Sequence, residues 1–285
     1  MLTTDHVFAS AKINVGLKVL PRRPDGFHDI ESIFQTVRLS DELRIGLLSG
    51  AGTCTVHCNG MLLPAENTIT ATYRAYCKYT GTAPAVCVGL EKRIPSGAGL
   101  GGGSSDAAAF LRALSHLSGT SLSTEQEDKI AGEVGSDVFF FLHCPPPGCA
   151  VVAGRGEKVR TIEPRNDLHV LLVFPGVHSS TREAYVLLDE YMMSGKTVVC
   201  PAFAELEAVY NSPVENWSFA NSFTPAIVRK YPEIGRALAD IRKEGALFAD
   251  MSGSGSTVFG VFDSAVTAEN ACRVLAQSWN GCMVV

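Results

Sequence analysis

The sequence predicts an α+β fold, and three features predict it. Alternating apolar and polar residues open the chain at Phe8–Leu20 and again at Phe27–Val37, the pattern of strands. A glycine-rich loop, Gly97–Gly103, runs directly into Ala107–Leu114, a stretch of strong helix formers. The second half places the strand-like runs His169–Pro175 and Thr257–Phe262 on either side of helical patterns. With 285 residues, the chain is long enough for two modest domains or one large one.

In the first run Ile13, Val15, Leu17 and Val19 form an apolar face, while Lys12, Asn14, Gly16 and Lys18 form the other. Lys18 reads as solvated, and Lys12 and Asn14 as the opening of the strand beside a cleft. Pro21–Gly26 carries reversal signals. The partner strand follows, with Phe27 and His28 just past the turn. Asp41–Ile45 and Thr53–Cys58 read as further strands. Asn67 caps a helix running to Tyr76, and Val86–Leu90 is the strand leading to the glycine loop.

Five of the seven positions from Gly97 to Gly103 lack a side chain. Ser104 or Ser105 can cap the following helix, and Asp106 suits its positive end. Glycines let backbone N–H groups converge, and a helix start leaves its first N–H groups unpaired, so the loop suits a phosphate. A flexible linker would not lead into a run of three alanines. The pattern Gly97-x-Gly99-x-x-Gly102 matches a dinucleotide fingerprint, yet Gly119–Glu125 offers no apolar strand ending in an acid. No Gly-Lys-Ser/Thr closes a Walker loop either. This is a phosphate loop without its own lysine, so a catalytic cation must come from elsewhere.

Downstream, Glu133–Phe141 places Asp137 before a very apolar run, where an Asp can cap a helix. Ala150–Glu157 is a strand and turn, and Ser180–Tyr185 begins a helix. Pro201–Tyr210 and Pro225–Gly245 are helical by pattern. Ser252, Gly253, Ser254, Gly255 and Ser256 make a second loop able to offer N–H and hydroxyl groups to an anion.

A net charge of −5 argues against a general nucleic-acid binder but leaves a nucleotide substrate open. No apolar run is long enough to span a membrane, and the opening residues lack the pattern of a signal peptide, so a cytoplasmic protein is expected. The nine cysteines lack zinc-site spacing and read as buried thiols.

Ala11-Lys12-Ile13-Asn14, Asp25-Gly26-Phe27-His28 and the Gly-Gly-Gly-Ser-Ser-Asp-Ala-Ala of Gly101–Ala108 resemble the GHMP small-molecule kinases. Further matches run in the family's order: Glu66-Asn67, Gly135–Val138, Pro175–Val177 and Ser252–Ser256. The resemblance implies a ribosomal protein S5-like N-terminal kinase domain over 1–158 and a ferredoxin-like α/β substrate domain over 159–285. It implies transfer of the ATP γ-phosphoryl group to the 2-hydroxyl of a cytidine-diphosphate-linked methylerythritol in the non-mevalonate isoprenoid route. A mevalonate, homoserine or sugar kinase is the alternative; Asp25–His28 discriminates, because those substrates need no base recognition.

By the same resemblance Lys12 and Asp137 are catalytic. Pro95, Gly97, Gly99, Gly101, Gly102, Gly103, Ser104 and Ser105 hold ATP, with Asn67 and Lys92 on the nucleotide side. Asn14, Phe27, His28, Asp137, Thr181 and Tyr185 meet the acceptor, with Phe27 and Tyr185 flanking cytosine and His28 reading its edge. The family more often has Tyr where Phe27 stands. Mg²⁺ is implied with ATP; Ser105 is a candidate hydroxyl on its side, and no dedicated metal ligand is assigned. No nucleic-acid polymer or membrane partner is expected, and the chain is expected to be a monomer or weak homodimer. From other classes, a silent binding protein conflicts with the retention of Lys12 and Asp137. A nicotinamide oxidoreductase conflicts with the missing acidic strand end.

Overall fold

A computed structural model of the chain describes residues 4–285. Met1–Thr3, part of the segment read for a signal peptide, lie outside the described residues. The chain forms two compact units, and neither is one continuous stretch. The first takes the chain up to Ala11 with Arg38–Ser96 and Gly101–Pro146; the second takes Lys12–Val37, Gly97–Leu100 and Pro147–Val285. Strands β1 (Thr4–Arg22) and β2 (His28–Ala51) are long enough to run through both.

In the first unit, the later part of β2 pairs antiparallel with β4 (Pro84–Glu91), Leu43 opposite Leu90 and Ile45 opposite Val88. Strand β3 (Cys54–Cys58) adds to β4 in parallel. Leu43 and Ile45 are buried while Arg44 between them is exposed, so alternation sets which face meets the core. Helices α1 (Thr68–Thr80), α2 (Gly102–Leu117), α3 (Thr124–Val134) and α4 (Ser136–His143) pack on one another. Their apolar faces supply Ile69, Tyr76, Phe110, Leu114, Ile130 and Phe140. Tyr76 is fully buried, and its hydroxyl is satisfied by Ser118 and Thr120.

In the second unit, Ile30–Gln35 of β2 pairs with β5 (Cys149–Gly154), and β5 pairs with β6 (Lys158–Ile162). A separate antiparallel sheet has the order β10 (Cys282–Val284), β7 (His169–Val173), β9 (Val258–Phe262), β8 (Phe248–Met251). Helices α8 (Pro232–Lys243) and α9 (Ala265–Leu275) lie against it. Helices α5 (Thr181–Met193), α6 (Leu206–Tyr210) and α7 (Thr224–Lys230) complete the unit.

Several boundaries depart from the sequence reading. Lys12 and Asn14 sit within β1 rather than opening it, and every residue from Ala11 to Leu17 is buried. Lys18 is half-buried and paired with Glu31 at 2.8 Å. Phe27–Val37 and Asp41–Ile45 belong to a single strand, apart from the turn residue Phe27. Pro232 divides the helix expected over Pro225–Gly245, because its ring disfavours helical backbone at Tyr231. Helix α2 begins inside the glycine run, with Gly101 as its N-cap and Ser104 and Ser105 in its first turn. Helix α3, just after Gly119–Ser123, has no counterpart among the expected elements, although Ser123 and Gln126 form a capping box that signals it.

The later part of β1 pairs on its other side with an irregular segment. Leu17 N donates to Ala220 O and Ser222 N donates to Leu17 O, at 2.9 and 2.8 Å. This approach needs Gly16, whose φ is +76° and where a Cβ would lie 2.7 Å from the Phe219 ring. Gly16→Ala is expected to destabilise the protein by ~2–4 kcal/mol, combining left-handed strain and overpacking. Urea unfolding measures it, and an unchanged midpoint would contradict the packing described.

Candidate functional site

In the first unit, β4 delivers Lys92 to the start of the glycine loop. Its ammonium pairs with Asp41 and with Asp106 Oδ2, the latter at 2.8 Å. Asp41 also accepts from the Arg93 and Ile94 amides at 2.6 and 2.8 Å, so it fixes the chain entering the loop. Two carboxylates therefore share one ammonium. The second oxygen of Asp106, Oδ1, is buried without a hydrogen bond. Burial, reinforced by the charge of Asp41, pushes the Asp106 carboxyl up to about 7 against the pull of Lys92. Burial works against the Lys92 charge, but the two carboxylates outweigh it and hold that ammonium above its ordinary value. Asp106 lies beyond the first turn of α2, so its role is this buried ionic one rather than the helix-dipole role expected.

Gly97, Gly99 and Gly101 all have φ near +70°. The first intrahelical bond of α2 runs from Ser105 N to Gly101 O. The amides of Gly102, Gly103 and Ser104 therefore stand at a helix start without intrahelical acceptors, where an anion's oxygens are favoured. A Cβ at Gly102 would sit 2.9 Å from Ile94 and 3.3 Å from the Lys92 ammonium. The glycine run is packed as well as permissive. Pro95 is exposed and Ser105 is buried. Asn67 caps α1, its side-chain oxygen accepting from the Ile69 and Thr70 amides, so that oxygen already serves the fold. Asp137 lies in the first turn of α4, and Gly135 rather than Asp137 is the N-cap. Ser104 Oγ lies 3.8 Å from where a Cβ on Gly135 would be.

In the second unit, Lys12 donates to Asn14 Oδ1 at 2.6 Å, with its ammonium 4.5 Å from the Phe34 ring centroid. Asn14 Nδ2 donates to Ser32 Oγ, and Ser32 Oγ in turn donates to Gly16 O. Both Lys12 and Asn14 are held by buried partners rather than displayed on a solvated face. Lys12 N also donates to Leu100 O at 2.9 Å, tying β1 to the glycine loop.

The loop Ser252–Ser256 grips the same segment. Ser252 Oγ donates to Gly99 O at 2.9 Å, and Thr257 N donates to Ala98 O at 3.2 Å. A Cβ on Gly99 would lie 2.1 Å from Ser252 O, so only glycine fits. The remaining hydroxyls are committed: Ser254 pairs with Thr181, and Ser256 donates to Val177 O. Ser252 thus buttresses the glycine loop, whereas Ser254 and Ser256 bond to the segment Val177–Thr181.

A tight turn carries Phe27 and His28. Arg23 N donates to Phe27 O, and Phe27 N donates to Asp25 Oδ1. Phe27 is half exposed, with the Arg155 guanidinium 3.6 Å from its ring centroid. His28 is buried beneath Tyr185, the rings stacked with centroids 5.1 Å apart. Its Nδ1 donates to Leu20 O at 2.8 Å, and its Nε2 lies 3.2 Å from Asp189 Oδ1. Tyr185 also meets Phe223 edge-on at 4.9 Å. The imidazole nitrogens are thus engaged within the protein, so reading a base edge through them requires breaking one of these contacts.

Asp41, Asp189, Arg155 and the buttressing part of Ser252 escaped the sequence reading. Only Asp189 had a local signal, standing one helical turn after Tyr185. Among the described residues, no group of three or more His, Cys, Asp or Glu could hold a metal ion, and no helix is long and apolar enough to cross a membrane. The hydroxyls of Ser104 and Ser105 and the Asp137 carboxylate are hard oxygen donors. Such a sparse set fits Mg²⁺, which keeps its waters and phosphate ligands.

The GHMP kinases N terminal domain family matches residues 67–144, and the GHMP kinases C terminal family matches residues 201–281. A 4-diphosphocytidyl-2-C-methyl-D-erythritol kinase of Treponema pallidum is 40% identical, over 97% of this chain and 96% of its own. One from Thermodesulfovibrio yellowstonii is 34% identical, over 97% and 95%. A crystal structure of 4-(cytidine 5'-diphospho)-2C-methyl-D-erythritol kinase superposes with a TM-score of 0.81 at 30% identity, covering 98% of each chain. A homoserine kinase structure from Cytophaga hutchinsonii has a TM-score of 0.67 at 19% identity, covering 99% of this chain and 93% of its own.

Asp106 binds its proton more tightly folded, at about 7, than unfolded, at about 4. Between those values the native state holds the extra proton, so stability falls as pH rises through the window and levels above it. Asp106→Asn cannot ionise there. Its stability profile from pH 5 to 8 is expected to be flatter than wild type by ~1–3 kcal/mol in urea unfolding, from the size of the shift. Parallel profiles would remove the buried charge from the account.

Proposed function

The chain belongs to the GHMP kinases, and from that premise we propose that it transfers the ATP γ-phosphoryl group to the 2-hydroxyl of 4-diphosphocytidyl-2-C-methyl-D-erythritol. The observation that carries this is likeness along the whole chain: 40% identity over 97% of it to a relative of that name. The homoserine kinase, at 19% identity, shares the fold alone. The Asp25–His28 turn, which carries an aromatic and an imidazole ring, favours the same acceptor over mevalonate, homoserine or a sugar.

Phosphoryl transfer asks a protein for alignment and charge neutralisation. The amides from Gly97 to Ser105 hold the triphosphate, with Pro95, Asn67 and Lys92 on the nucleotide side. Mg²⁺ carried with ATP would add neutralisation of the phosphate charge, and the Ser105 hydroxyl would hold it or one of its waters. Asp137 takes the acceptor hydroxyl proton as the new P–O bond forms and the bond to the ADP leaving group breaks, because a carboxylate is too weak a base to remove an alcohol proton beforehand. Lys12 keeps charge neutral near the acceptor oxygen, and Asn14 holds Lys12 while orienting the substrate. Phe27 and Tyr185 stack on cytosine, while His28 and Thr181 complete the acceptor contacts. A cytoplasmic monomer or weak homodimer suits this role, with thiols such as Cys54 and Cys282 pushed up to about 11 by burial.

Purified protein with Mg-ATP is expected to add one phosphoryl group to the cytidine-linked acceptor and none to mevalonate, homoserine or sugars, as read by mass spectrometry. Asp137→Ala is expected to lower kcat by ~10²–10⁴-fold with a much smaller change in acceptor KM. Wild-type kcat in that variant would end the assignment.

A further inference from the structure

We propose that Asp189 is a positioning residue for the acceptor's nucleobase, acting through His28 and Tyr185; this rests on the kinase reading above. Tyr185 and Asp189 are four residues apart on α5, hence on one helix face. That face covers His28 twice over: Tyr185 lies flat on the imidazole, and the Asp189 carboxylate meets its Nε2 at 3.2 Å. From the opposite side Leu20 O accepts from Nδ1 at 2.8 Å. The ring is thus bonded at Nδ1 and has a carboxylate beside Nε2, so a flip would give up the Nδ1 bond and turn a carbon toward Asp189.

The His28 side chain is 4% exposed and that of Asp189 is 28% exposed. The carboxylate is thus a rim group reaching inward to a buried ring. Its effect is to fix the plane of the imidazole, and through it the plane of Tyr185, whose edge is set by Phe223. A stacking platform fixed before binding loses less freedom when the base arrives. Asp189 therefore serves affinity for the cytidine end of the acceptor and not for ATP.

The test uses the full chain, with CDP as the binding probe and the cytidine-linked acceptor as substrate. Asp189→Asn is expected to weaken CDP binding and raise acceptor KM by about 10-fold, with ATP KM within about two-fold of wild type. In a His28→Gln background the same change is expected to add less than about two-fold, because the two residues act through one contact. Asp189→Glu, which keeps the carboxylate, is expected to recover part of the loss and serves if the Asn variant folds poorly. CDP affinity unchanged in Asp189→Asn, equal losses in both backgrounds, or equal effects on acceptor and ATP would overturn the proposal. Wild-type protein that neither binds CDP nor phosphorylates the acceptor would instead overturn the kinase reading, and this inference with it.

Discussion

Gly99 and Ser252 approach so closely that no side chain fits between them, and the glycine loop takes its shape from that approach. The Ser252 hydroxyl holds Gly99 O, the Thr257 amide holds Ala98 O, and the Lys12 amide holds Leu100 O. Three successive carbonyls are thereby fixed from outside the loop. Their amides are oriented as a consequence, since each peptide plane is rigid. Amides fixed in this way need no reorganisation when charge arrives, which is what preorganisation means for an anion site.

The buried charges upstream follow a different logic. One lysine lies between two carboxylates, and with Asp106 raised to about 7 the cluster becomes net negative only as that group loses its proton. A helix start tolerates such charge, because its own partial charge is positive. The arrangement is costly in isolation, as buried ions are. Asp41 offsets part of that cost by accepting two backbone amides where the chain leaves β4. The cluster thus fixes the loop's entry, as Ser252 and Thr257 fix its middle.

Much of this was legible in the sequence because it is local. The alternating strands, the Asn67 cap, the run of glycines and the carboxylate at the start of α4 follow from neighbouring residues. What escaped depends on distant partners. Asp41 and Asp106 are far apart in sequence and differ from surface acids only in being buried with Lys92. Ser252–Ser256 looks like an anion loop by composition, and only Gly99, Thr181 and Val177 show that its hydroxyls are already engaged. Lys12 and Asn14 looked half-exposed because alternation reports the pleat, whereas burial on both faces depends on what packs above and below. The glycine and serine motifs show which donors the chain carries, but not which of them are already in use.

The guanidinium resting on Phe27 changes what that ring can contribute to recognition. An aromatic base arriving on the same side must evict Arg155, so the net gain is the difference between two stacked partners. Base stacking contributes ~1–3 kcal/mol, and an exposed cation–π contact ~0.5–1 kcal/mol. The surplus from such an exchange is smaller than the bare ring suggests. Under the proposed acceptor reading, discrimination on that side is competitive: only a ring that stacks better than the arginine gains from displacing it.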